Sequence, residues 1–287
     1  MKTLYHYTSL DTFLKIVQGE SIRLSDLGQS NDTHEGLYVL DHLKKAIRSS
    51  TIPAQLHEIL YEVLEDFLTY SGALGFCLSE KPDQLSQWRG YGDDGHGICI
   101  GFDATKLESA VQNTSHMLRH AKIVPVNYGE KRTRGIQQSL ISALNQIELC
   151  SSNYENFITE ITEYILIESP NETAVTTAAT EAWVAISNAT ATAFEHKSTS
   201  FEEEAEHRIL VDHSTSRYED QIEYSTIRNR LVAYKDANFD DSLTDVVIGP
   251  KCAVAEKEIR QVLRRYLKGN RFRFVKDKVR RSASTYR

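Results

Sequence analysis

Lys197-Ser-Thr-Ser-Phe-Glu-Glu-Glu-Ala-Glu-His-Arg-Ile-Leu-Val211 passes from a polar opening through four carboxylates, Glu202, Glu203, Glu204 and Glu206, into an apolar run. Ile209-Leu-Val211 reads as a buried strand, since a short continuous apolar run suits a strand covered on both faces. Like charges crowded at the mouth of a strand repel and raise one another's pKa. A solvated helix could hold the same acids without that cost. Two readings therefore stand: a structural acidic face, or a site that keeps its charges for chemistry.

Composition bounds the alternatives. A chain of 287 residues, 40% hydrophobic and 25% charged, can bury a core as one large domain with or without an insertion. A formal net charge of −7 argues against a surface that coats nucleic acid, although a local basic patch is compatible with it. No apolar run reaches the length needed to span a bilayer, and Met1-Lys-Thr-Leu-Tyr-His6 has no signal-peptide core. Cys77, Cys99, Cys150 and Cys252 are scattered, without a close pair for a metal knuckle or redox motif. A reducing, cytoplasmic setting is expected.

Working outward, Leu4–Tyr7 reads as a first strand. Thr8 and Asp11 resemble a capping box opening a helix with Leu10, Phe13, Leu14 and Val17 on its apolar face. Gly19 ends that helix, Ile22–Leu24 follows as a strand, and Ser25–Gly36 reads as a polar loop. Leu56, Ile59, Leu60, Val63, Leu64, Phe67 and Leu68 recur at helical spacing. Ala73–Leu78 and Gly97–Phe102 are strand-like, joined by a loop rich in Trp, Arg, Tyr, Gly and Asp. Helical periodicity governs 132–196, with Pro170 a break and Thr173–Ala193 a closely packed helix. Strands resume at His207–Val211, Asp245–Ile248 and Arg271–Val275, with an amphipathic helix through Ile259, Val262, Leu263, Tyr266 and Leu267. The expected architecture is one α+β domain, 1–287, with a helical insertion at 132–196.

Candidate chemistry lies in three further segments. His6 falls between Tyr5 and Tyr7, on the strand face opposite both, and is either a satisfied core histidine or a site group. Trp88 and Tyr91 sit three residues apart near Arg89, and their rings could stack on a planar ligand or, for Trp88, plug the core edge. Asn31, Asp32 and Glu35 read as a turn tied by side-chain-to-backbone bonds, or as a site for a hydroxyl-rich group. There is no Gly-x-Gly-x-x-Gly, no Gly-Lys-Ser/Thr loop, no Gly-x-Ser-x-Gly elbow and no zinc-helix histidine pair. His34, His42 and His57 are too dispersed to serve as ligands, so no metal is expected. The basic run Lys276–Arg281 is either a strand edge blunted by charge or a contact for a nucleic-acid target.

Taken together these pieces resemble a bacterial family, domain-of-unknown-function family 2971. The matching segments are Leu4–Ser9, Gly19 with Ile22–Asp26, Asn31–Glu35, Gly75–Ser79, Gln87–Tyr91 and Gly97–Asp103. Glu204, Glu206 and Arg208, Val247–Lys251 and Ser282–Arg287 continue the match in order, with Phe201 where the family usually has tryptophan. Residues 132–196 match nothing in it.

A more distant resemblance is to ADP-ribosyltransferases of the His-Tyr-Glu type. It implies a split β-sheet core with flanking helices, and NAD as substrate. His6, flanked by Tyr7 and Thr8, would bond a ribose hydroxyl. Tyr91, or else Trp88, would stack on nicotinamide. Glu206 would hold the ribose 2′-hydroxyl and stabilise the oxocarbenium-like charge, and Arg208 would bind phosphate or keep Glu206 ionised. Glu204 falls on the same strand face by alternation, so the choice between the two glutamates stays open. The resemblance also implies a toxin or phage-defence role, a macromolecular ADP-ribose acceptor, and an antitoxin or activator that contacts 132–196. Two alternatives remain. One is a nuclease or other nucleotide-acting effector built on His6, Glu204 and Glu206, with or without metal assistance. The other is a non-catalytic sensor whose pocket uses Asn31, Trp88, Tyr91 and Arg208.

Overall fold

The computed structural model describes residues 2–29, 37–52, 54, 57–70, 73–150, 186, 192–212, 221–227, 229–267 and 275–286. Asn31, Asp32 and Glu35 lie outside them, as do 151–185 and most of the expected strand Arg271–Val275. The protein is a mixed α+β structure around a largely antiparallel sheet of ten strands. Among the described residues no helix is long and apolar enough to cross a membrane.

Strand β1, Thr3–Thr8, pairs antiparallel along its whole length with β4, Ile98–Asp103. All six residues of β4 are buried. That is why Ile98-Cys-Ile-Gly-Phe102 shows no polar alternation: both of its faces are covered. Beyond β4 come β11, Leu243–Ile248, and then β12, Val279–Arg281, which is parallel to β11. On the other flank β3, Ala73–Ser79, pairs antiparallel with β8, Glu206–Asp212, and β8 with β5, Lys122–Pro125. A third group joins β2, Ser21–Asp26, to β10, Arg230–Asn238, and β10 to β9, Glu223–Ile227. Strands β6, Asn127–Tyr128, and β7, His196–Lys197, form a separate parallel pair.

Helices α1, Leu10–Gly19, and α5, Ala104–Thr114, contribute Phe13, Val17, Leu107 and Val111 to the main core. A second cluster gathers apolar residues of α2, Leu37–Arg48, α3, His57–Tyr70, and α6, Glu130–Cys150. Short α4, Leu85–Gly90, follows β3, and α7, Glu256–Tyr266, adds Ile259 and Leu263 to the main core.

The functional geometry originates in the pairing of β3. Strand β8 occupies one edge of β3 from Ala73 to Ser79. Strands β1 and β2 must therefore share the other edge. There β1 meets β3 only at Ser79, and β2 meets it only at Gly75 and Leu74. Phe76, Cys77 and Leu78 lie between those two points of pairing, where the sheet opens into a cleft. An open strand edge needs other groups to satisfy its backbone. One is the His6 ring, whose Nδ1 lies 2.9 Å from the Cys77 carbonyl oxygen.

Several expectations need correction. The first helix is capped by Ser9, whose hydroxyl accepts from the Thr12 amide at 3.2 Å, rather than by a Thr8–Asp11 box. Gln87–Gly90 is helical, not loop. His196 and Lys197 form a strand, so the helical stretch does not reach 196. Glu204 lies in a 3₁₀ turn, Thr199–Glu204, and the strand begins only at Glu206, so alternation does not relate the two glutamates.

Phe102 is fully buried and meets Phe76 and Phe239 edge-on at 6.2 and 5.8 Å between centroids. Truncation there removes a large apolar surface and leaves a cavity. Phe102→Ala should lower unfolding free energy by about 3–5 kcal/mol in urea denaturation. A loss below about 1 kcal/mol would remove Phe102 from the set of core residues that hold sheet and helices together.

Candidate functional site

A cleft of about 710 Å³ occupies the opening in the sheet. Its apolar floor is Gly75, Phe76, Cys77 and Leu78 of β3, and its walls carry His6, Tyr91, Glu204 and Glu206. The floor depends on Gly75: a Cβ there would stand 2.6 Å from the Leu27 side chain, which packs over the same strand.

His6 stacks on Phe76 with 4.2 Å between ring centroids. Because Nδ1 faces a carbonyl oxygen, it must donate, and the Nε2 lone pair remains as an acceptor. Burial pushes the pKa of His6 down to about 4, against the opposing pull of the Cys77 carbonyl. At neutral pH His6 is a neutral hydrogen-bond acceptor at the cleft wall.

The acidic wall is built by an abrupt turn. Ser198 caps the 3₁₀ turn through its hydroxyl, and Ala205 closes it in the left-handed region at φ 44°. An alanine there is strained, and the strain persists because both neighbours are tied. The Glu204 carbonyl accepts from Ser79 Oγ at 2.7 Å, and the Glu206 amide donates to Tyr128 Oη at 2.9 Å. The turn aims both carboxylates at one ammonium. Lys197 Nζ lies 3.1 Å from Glu204 Oε2 and 2.9 Å from Glu206 Oε2.

The two acids nonetheless differ in environment. Arg208, with no exposed surface, forks onto Glu206 at 2.7 and 3.1 Å and donates to the Phe194 carbonyl at 2.7 Å. Burial alone would raise the Glu206 pKa, but Arg208 and then Lys197 outweigh it and hold the carboxyl below its usual range. Glu204 moves the other way. Burial raises it, Lys197 only partly offsets that, and Glu206 adds repulsion. Tyr91 Oη donates to Glu204 Oε1 at 3.0 Å, and burial pushes its own phenol pKa up. The arrangement is a carboxylate held ionised beside a carboxyl that binds its proton more tightly, the pattern that separates acid–base roles in many enzymes.

The structure brings His6, Tyr7, Tyr91, Glu204 and Glu206 to one cleft and leaves four other expected residues outside its lining. Trp88 is fully buried, edge-on to Tyr7 at 4.8 Å, with its indole N–H donating to Asp83 at 2.7 Å. It plugs the core and offers no face for stacking. Thr8 is buried within β1. Arg89 turns outward, its guanidinium 4.8 Å from the Tyr286 ring centroid. Arg208 lies behind Glu206 and is a positioning group, not a phosphate ligand. Tyr7 reaches the cleft, yet its hydroxyl donates to the Lys81 carbonyl and accepts the Gln84 amide, so backbone already engages it. Sequence reading missed Lys197 and Tyr128. A lysine opening the acidic run was the available signal, because crowded buried carboxylates demand a cation. Among the described residues no group of three His, Cys, Asp or Glu side chains could hold a metal ion.

The depressed His6 pKa has a thermodynamic consequence. Its folded value is below its unfolded value of about 6.5, so its contribution to stability is present above pH 6.5 and is lost as pH falls toward 4. From that shift, acidification across this window should cost on the order of 3 kcal/mol. His6→Gln should flatten that limb in urea titrations at pH 4 to 7. An unaltered limb would mean His6 is not the buried neutral group.

Comparison with known proteins places part of the chain near a described family. Residues 87–209 fit the family described as Protein of unknown function (DUF2971), a span that begins at the Gln87–Tyr91 segment and ends inside β8. No curated protein and no solved structure matches the chain. Over those residues the chain is similar to that family, which supports the corresponding part of the resemblance read from the sequence.

Proposed function

We propose that the cleft binds a dinucleotide of the NAD class and cleaves the bond between the nicotinamide ring nitrogen and ribose C1′. ADP-ribose then passes to water or to an acceptor hydroxyl. The observation that carries this reading is the convergence of a neutral histidine, a tyrosine ring and two oppositely poised carboxylates on one opening in the sheet. Its volume of about 710 Å³ falls in the range of small-molecule sites.

The chemistry follows from the groups present. Nicotinamide departs as a neutral molecule, taking the electron pair of the broken C–N bond, so no general acid is required. Positive charge develops at C1′ and the ring oxygen. Glu206, kept ionised by Arg208 and Lys197, is suited to stabilise that charge. The incoming hydroxyl forms the new C1′–O bond and surrenders its proton, for which Glu204 is the matched base because its pKa is raised. His6 Nε2 would accept from a ribose hydroxyl, and the Tyr91 ring would pack on the nicotinamide plane. Depletion of a central cofactor fits a toxin or defence role restrained by a partner protein.

One observation favours a binding-only alternative. Lys197 already occupies both carboxylates as an ion-pair partner, which would suit a ligand sensor rather than a catalyst. Measuring nicotinamide release from NAD by the purified protein separates the two. Glu206→Gln should reduce release by about 10²–10³-fold, a loss typical of removing one group that stabilises developing charge. Glu204→Gln should lower it less and abolish the rise of rate with pH. Thermal stabilisation by NAD without release would replace the enzyme with the sensor, and neither effect would overturn both.

A further inference from the structure

Tyr91 reaches Glu204 from a turn that is strained at two consecutive residues. Asp93 and Asp94 have φ of 51° and 50°, and Gly95 follows at 87°. Two consecutive non-glycine residues in the left-handed region persist only where the surroundings over-determine them. The internal bonds of the turn are backbone contacts to Gln87, Gly92 and Asp93, with Tyr91, Gly95, His96 and Gly97 as donors. The external hold comes from two segments far away in sequence: the Gly249 and Lys251 amides donate to the Gly97 and Gly95 carbonyls at 3.0 and 2.9 Å, and a second segment adds side-chain contacts.

Residues Ser282–Tyr286 run across this turn. The Ser282 amide donates to the Ile248 carbonyl at 2.8 Å, which anchors the segment where β11 ends. Asp83 then links it to the start of α4. One Asp83 carboxylate accepts Ser282 Oγ at 2.6 Å, the Ala283 amide at 2.7 Å and the Trp88 indole at 2.7 Å. At the far end the Tyr286 hydroxyl donates to Asp94, while Lys251 Nζ donates to the other oxygen of Asp94 at 2.9 Å. Lys251 and Arg89 lie over the Tyr286 ring at 3.8 and 4.8 Å from its centroid. Contact with Gly95 is close enough that a Cβ there would stand 3.2 Å from the tyrosine ring.

We propose that Ser282–Tyr286 is a strap that holds the Tyr91–Gly95 turn in its strained form and so sets Tyr91 against Glu204, with Tyr286 as the positioning residue. It acts on the same cleft as the proposed reaction, and its relevance to turnover rests on that reading. The geometric coupling does not. Glu204 faces Lys197, Glu206, Tyr91 and Tyr128. Of these only Tyr91 is carried by the strapped turn. Its donated hydrogen bond favours ionised Glu204, so releasing the turn raises the Glu204 pKa and leaves the other three contacts in place.

The test is carboxyl carbon-13 NMR of Glu204 across pH, together with hydrogen exchange, on the full chain without NAD. Tyr286→Ala should shift the Glu204 titration upward in the same sense as Tyr91→Phe, and the double variant should add nothing further. The amides of Tyr91, Gly95 and Gly97 should exchange roughly ten-fold faster or more, while those of β3 and β8 stay protected. Tyr286→Phe and Asp94→Asn, which keep the ring and remove one bond, should give smaller changes of the same sign and serve if Tyr286→Ala does not fold. An unmoved Glu204 titration with unaltered exchange at the turn would overturn the strap. Coupling seen in a protein that never releases nicotinamide would keep the strap and dispose of the enzymatic reading alone.

Discussion

Arg208 has no contact with solvent, and its charge has to be met inside the protein. Moving an ion of that size out of water costs several kcal/mol unless its partners are close and complete. Glu206 supplies a two-point carboxylate and Phe194 supplies a carbonyl, so the guanidinium links β8 to the turn before β7. Lys197 on β7 then serves the same glutamate from the other side and extends to Glu204. Each of these charges borders another buried charge, so removing one alters the balance around the rest. The network therefore defines the acidic wall of the cleft as a single unit, with little freedom for its members to move separately.

The open edge of β3 complements that wall. A strand flanked on one side by β8 and on the other by the ends of β1 and β2 lines a cavity with Phe76, Cys77 and Leu78 between those ends. The backbone polarity this leaves is met partly by a side chain, His6, which the bond orients while burial holds the ring neutral against it. Fold and chemistry are joined at this point. The feature that opens the sheet also orients the residue lining the opening.

Much of the fold was legible in the chain. Ile98–Phe102 and Ala73–Leu78 announced strands, and the recurrence from Leu60 to Leu64 announced a packed helix, because period and apolar content are local properties. Local chemistry fell short where longer-range packing intervened. Trp88 read either as a stacking platform or as a plug of the core edge, and only the packing of Asp83 and Tyr7 around it decides for the core. Glu204 and Glu206 looked like alternate residues of one strand. In fact the left-handed Ala205 separates them, and they converge through Lys197.

The sequence by itself determined that acids crowd the entrance to a buried strand, that a histidine sits in the first strand, and that Tyr91 lies near the middle of the chain. Those are facts of order and composition. Only the tertiary structure decided which cation meets which acid, which glutamate is held ionised, and that a segment near residue 286 steadies the turn bearing Tyr91. The reason is physical. Protonation and orientation depend on desolvation and on charges a few ångströms away, and those neighbours are brought from positions far apart in the chain by a sheet whose strand order differs from its sequence order.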